Sequence, residues 1–154
     1  MSFIINIPSS LLYITALLCS VFAWKAFRAS CRIQDSYAQT YAEEYGTDSM
    51  RNTYRLMSYL RQSGVGYAIA CVAFLICSLS LLGIVVSTSA SFTIIMCVGI
   101  AAITLALFDD AKVSKLASKA SNELDHIEEM RWQGIWQDIK EEFRRCGHDS
   151  SSNA

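Results

Sequence analysis

The chain has 154 residues, 53% of them hydrophobic and 18% charged, with a formal net charge of −1. A soluble domain carries about 25% charged residues, so this composition argues against one. The near-zero net charge excludes a general pull toward nucleic acid or acidic surfaces. What carries information is where the charges sit.

No Lys, Arg, Asp or Glu occurs in residues 1–24, and none occurs in residues 62–108. A hydrocarbon core of about 30 Å takes roughly 20 helical residues. The first apolar run, from about Ile7 to Phe27, therefore predicts one crossing, with Pro8 in its first turn, where a missing N–H costs nothing. A signal peptide would open with basic residues. Here the first cation is Lys25, after the apolar run, as expected of a retained anchor.

Residues 28–62 predict a helical segment with one break. Tyr37, Tyr41 and Tyr45 recur every four positions on one face, suited to packing or to a partner. Gly46 closes that stretch, and Thr47 or Asp48 is expected to cap the next. Nothing stops that helix before the second crossing, predicted over 64–86. A Ser-rich turn at 87–91 leads to the third, over 91–108.

Small residues stand four apart at Gly66 and Ala70, Gly83 and Ser87, and Ala102 and Ala106. That spacing lets helix backbones approach closely and predicts packing of the second crossing on the third. Asp109 and Asp110 are expected to end the third crossing. In an oligomer they would form a carboxylate ring favouring cations.

Residues 111–145 predict an amphipathic helix with two apolar stripes. Leu116, Ala120, Leu124 and Ile127 form one. Trp132, Trp136, Ile139 and Phe143 form another, slightly rotated, and form a candidate partner-binding surface. Residues 147–154 are polar and expected to be disordered.

All thirteen Lys and Arg residues fall at 25–61 and 112–145. The excess of basic residues marks the cytoplasmic side. The expected order is thus an N-terminal span, 1–28, starting outside; a cytoplasmic helical loop, 29–62; a transmembrane hairpin, 63–108; and a cytoplasmic helix, 109–146. The fold class is all-α, with three transmembrane helices and two cytoplasmic amphipathic segments.

Motifs for catalysis are absent. His126 sits among solvated acids, and Cys146-x-His148 has no partner pair for the four ligands of structural zinc. There is no phosphate loop, nucleophile elbow or Cys-x-x-Cys, and no ionisable group inside a span to couple transport. Four of the six cysteines fall in the spans, and the other two would face a reducing cytoplasm. The expectation is a non-enzyme with no metal, cofactor, nucleic acid or small-molecule substrate.

Ile7-Pro8-Ser9-Ser10-Leu11-Leu12, Leu56-x-x-x-Leu60-Arg61 and Leu105-x-x-Phe108-Asp109 mark the entries and exits of the spans. On these residues the chain, over about 5–127, resembles a group of small three-span bacterial inner-membrane proteins of uncharacterised function. It departs from them in having an Asp pair in place of a lone Glu, and in its longer tail. The hairpin with a helical tail is also similar to inclusion-membrane effectors of intracellular bacteria, whose polar N-termini residues 1–24 do not match. The first resemblance implies an inner-membrane location and no catalytic residues. The expected activity is interaction with itself or another membrane protein, of structural, regulatory or exclusion/immunity type. A homo-oligomeric pore is the alternative.

Overall fold

The computed structural model describes the backbone of residues 2–152 and the side chains of residues 8–145. The described residues form helices and turns without a strand. Helix α1 spans Ser2–Ile33 and passes through a π-helical segment, Gln34–Ala38, into α2, Gln39–Tyr45. After a 3-10 turn at Asp48–Met50 come α3, Arg51–Leu81, and α4, Ser89–Ser152. Three helical stretches are long and apolar enough to cross a membrane.

Helices α1 and α4 outrun their expected limits because nothing in the sequence breaks them there. The apolar run of α1 continues into its basic segment without a Pro or Gly stop. Asp109 and Asp110, expected to end a helix, lie inside α4, which has 64 residues and is about 96 Å long at 1.5 Å per residue. The residues from 147 to 152, expected to be disordered, continue the same helix; 153 and 154 lie outside the described residues.

The turns do have sequence causes. Gly46 takes φ 84° and ends α2, its N–H bonding the Ala42 carbonyl. Gly83 takes φ 75° after α3. There Ile84 N–H donates to Leu79 C=O at 3.0 Å and Gly83 N–H to Ser80 C=O at 3.1 Å, the paired closure that glycine allows at a helix end. Helix α3 thus stops at Leu81, short of the 86 expected for the second crossing. The Gly83–Ser87 pair belongs to this turn, and no atom lies near a Cβ built on Gly83; as a packing ridge it is corrected. Thr88 caps α4, its Oγ1 accepting from Ser91 N–H at 3.3 Å.

α3 is the central helix, with α1 and α4 packed on it. Ala16, Cys19 and Ala23 of α1 meet Tyr67, Ala70 and Phe74 of α3, which meet Ala102 and Ala106 of α4. The close approach is made by small residues. A Cβ on Gly66 would lie 3.0 Å from Ala106 Cβ and 3.1 Å from the Ala102 carbonyl oxygen. At the charge-free end Ser9 and Ser78, both buried, tie α1 to α3: Ser78 Oγ donates to the Ser9 carbonyl at 2.9 Å. At the other end Phe27 packs on Gly64.

Candidate functional site: the basic end of the bundle

The chemistry of this chain is concentrated where its charges are. Three features stand there in succession along α4: a carboxylate tied into the bundle, a carboxylate that caps α3, and an unpartnered aromatic stripe.

Asp110 comes first. Its Oδ1 accepts from Ser63 Oγ at 2.5 Å and its Oδ2 from Tyr67 Oη at 2.6 Å. Both donors are on α3 and buried. Asp109 pairs with Lys112 at 3.5 Å, one helical turn on. The two adjacent carboxylates therefore point to different partners, and Asp110 is engaged within its own chain. The Lys112 ammonium also lies 4.5 Å from the Phe108 ring centre and 4.9 Å from that of Tyr59, a cation–π arrangement. Sequence spacing could not reveal the Ser63–Asp110–Tyr67 cluster, because its members are brought together only by the α3–α4 crossing.

Glu123 comes next. Its Oε1 accepts from Asn52 N–H at 3.2 Å and Asn52 Nδ2 at 2.7 Å. Its Oε2 accepts from Thr53 N–H at 3.2 Å and Thr53 Oγ1 at 3.3 Å. Two free N–H groups in the first turn of α3, those of Asn52 and Thr53, are thus satisfied by an acid from another helix, at the end where negative charge is favoured. This corrects the expected cap. Thr47 precedes the 3-10 turn and Asp48 opens it, and Thr47, at its N-cap position, makes no side-chain cap bond. Met50, not either of these, stands at the N-cap of α3, so a local side chain is replaced by a distant one.

Around this cap, Tyr41 and Met50 pack on Ile127, with Tyr45, Tyr54 and Leu124 beside them. The tyrosine stripe forms as expected: the rings of Tyr37 and Tyr41 stack with centres 6.0 Å apart, and Tyr41 and Tyr45 follow at 6.4 Å. Its use is internal, however. Tyr41 is buried and donates to Glu128 Oε1 at 3.4 Å. Burial, then the neighbouring Glu44 carboxylate, push the Tyr45 phenol up, partly offset by Arg131. Tyr37 is the member left exposed.

Beyond Ile127 the helix leaves the bundle. Every described residue from 128 to 145 is exposed. Trp132 is 62% exposed, Trp136 61% and Phe143 75%, with Ile139 at 39%. The first stripe, by contrast, buries Ala120 and Ile127 against the bundle. The rotation between the stripes is not slight. Five residues at about 100° each carry Trp132 roughly 140° around from Ile127. The aromatic face therefore does not extend the internal seam but opens in another direction. A shallow groove of about 380 Å³ between Tyr41, Glu128, Arg131, Trp132 and Ile135 marks where the bundle ends.

No group of three or more His, Cys, Asp or Glu among the described residues is arranged to hold a metal. No protein-family model, curated protein or solved structure matches this chain.

Proposed function

We propose that this is an integral membrane protein that acts by protein–protein interaction through its cytoplasmic helices, the aromatic stripe of α4 being its working surface. The observation that carries the reading is the exposure of Trp132, Trp136, Ile139 and Phe143 on one face of a helix that has already left its bundle. Large aromatic groups in contact with water are the kind of surface that association covers. The basic segments on either side of the hairpin support a cytoplasmic location for this surface, with the N-terminus and the 82–88 turn outside.

Depth argues for a protein rather than the bilayer as the partner. From Asp109 to Trp132 the helix advances about 35 Å. Even a tilt of about 40° from the membrane normal leaves Trp132 more than about 25 Å from the bilayer boundary. The stripe is thus out of reach of the lipid that the spans occupy. The partner is a second copy or another protein, in a structural, regulatory or exclusion/immunity role. The tie between Asp110 and α3 supports this reading over a pore lined by a carboxylate ring, since both oxygens already have donors.

The test is site-specific photo-crosslinking from Trp136 and, as control, from Gln137 on the adjoining face, in cells. A discrete crosslinked species from position 136 that is lost in Trp132→Ala supports the surface; its mass separates a second copy from another protein. Equal crosslinking from 136 and 137, or none from either, overturns it. So would a cation-selective conductance of the purified protein that changes with Asp109→Asn and Asp110→Asn together.

A further inference from the structure

We infer that the outward face of α3 is a binding site for one anionic phospholipid of the leaflet on the basic side, with its headgroup phosphate at Arg61. The inference requires that α3 cross the bilayer; it does not depend on the identity of the α4 partner.

Arg61 is the last charged residue before the uncharged stretch, so it stands at headgroup level. Its Nε donates to Ser30 Oγ at 3.2 Å, and one Nη donates to Gln34 Oε1. These partners are neutral oxygens. Among the described residues no carboxylate pairs with Arg61. A guanidinium has five N–H donors in a planar fork, and most of them remain for a ligand. Arg61 lines a groove of about 530 Å³ together with Gln34, Gln39, Tyr54, Ser58 and Gln62. The π-helical segment forms the opposite wall, and its Ala38 carbonyl accepts from Tyr54 Oη at 3.3 Å. A fork-shaped cation ringed by amide and hydroxyl groups is suited to a phosphate, which takes two parallel bonds from Arg.

A second observation selects a lipid over a free anion. Directly along α3 lies an apolar groove of about 500 Å³, lined by Val65, Ile69, Val72 and Ile76, with Phe27 at its mouth and Ile94 on the α4 side. Val65 and Ile69 follow Arg61 at four-residue steps, and Val72 and Ile76 continue the same face. The polar groove and the apolar one thus follow one another along the same face of α3. From Gly64 to Ile76 the helix advances about 18 Å, close to the roughly 15 Å of hydrocarbon in one leaflet. A phosphate above a chain-length apolar channel is the outline of a phospholipid. Anionic rather than zwitterionic lipid follows from the unneutralised Arg61, since anionic headgroups at the cytoplasmic face are held by basic pockets between spans.

The full-length protein in mild detergent is offered phosphatidylglycerol, phosphatidylcholine or inorganic phosphate, and retained ligand is read by native mass spectrometry. One phosphatidylglycerol per chain is expected, with phosphatidylcholine retained at least about tenfold less and phosphate failing to displace the lipid. Arg61→Gln should lower phosphatidylglycerol occupancy about tenfold. Ile69→Trp, which fills the apolar channel and leaves Arg61 intact, should lower it as well. Arg28→Gln, an exposed cation outside the groove, should not. Equal retention of the two lipids, or unchanged occupancy in Arg61→Gln, overturns the site. If phosphate displaces the lipid, or Ile69→Trp has no effect, the groove is an anion site without a chain channel and the lipid assignment fails. Should Arg61→Gln not elute as wild type, the Ile69→Trp and Arg28→Gln pair decides the question alone.

Discussion

Glu123 of α4 accepts a hydrogen bond from the backbone N–H of Asn52, 3.2 Å away in the first turn of α3. The contact joins residues 71 positions apart. It places an acid at a helix start whose own flanking residues supply no cap. Replacement of an N-cap acceptor by Ala costs about 0.5–2 kcal/mol, and loss of the charge at a helix N-terminus a further ~0.3–1 kcal/mol. Glu123→Ala should therefore destabilise the protein by about 1–3 kcal/mol in reversible detergent unfolding. Glu123→Gln, which keeps an acceptor and loses the charge, should cost less. Faster amide exchange at Asn52 and Thr53 in Glu123→Ala is the local signature; unchanged exchange there would refute the cap.

The Ser63–Asp110–Tyr67 cluster makes a different demand. Hydrogen bonds to charged groups contribute about 1.5–3 kcal/mol each. Tyr67→Phe and Asp110→Asn should each destabilise, and the double variant by less than their sum, because both remove the same bond. A double-mutant cycle should give a coupling of at least about 0.5 kcal/mol. Strict additivity would mean that Tyr67 and Asp110 do not interact.

Two glycines separate packing from propensity. At Gly66 a side chain meets Ala106 and the Ala102 carbonyl, so Gly66→Leu should push α4 from α3 and cost about 1–3 kcal/mol. At Gly134 there is open space around a new Cβ. Gly134→Ala should instead stabilise by about 1 kcal/mol, the difference in helix preference. Thermal unfolding of the two variants should shift in opposite directions.

The double change Trp132→Ala and Trp136→Ala removes exposed groups and should alter stability by no more than about 0.5 kcal/mol. It should nonetheless abolish the crosslinked species proposed above. Unfolding of the monomer caused by this change would show that the tryptophans serve the chain's own packing.

Orientation has a direct readout. In intact cells a membrane-impermeant thiol reagent should label Ser89→Cys, at the start of α4 beside the 82–88 turn, and leave Cys31 unlabelled until the membrane is opened. Cys31 is exposed at the basic end, so accessibility within the fold does not confound the result. The opposite pattern would invert the topology.

Three apolar helical stretches, charges gathered outside them, and the break at Gly46 were legible from the residues alone. These are local properties: run length, the absence of Pro, and charge position along one chain. The sequence also determined that Gly66, Ala70, Ala102 and Ala106 are small enough for close approach, because spacing on a helix is fixed by 3.6 residues per turn. It misassigned Gly83 to a helix and paired it with Ser87 for packing, since the same small residues suit a turn. Which groups meet was settled by the packing of the helices. Asp110 chose Ser63 and Tyr67, Glu123 replaced a local cap, and Tyr41 was drawn inward while Trp132 was left outside. Each outcome depends on the angle and register at which α3, α2 and α4 cross. A rotation of about 140° along a single helix separates a buried Ile127 from an exposed Trp132, and only the position of the neighbouring helix says which face is covered.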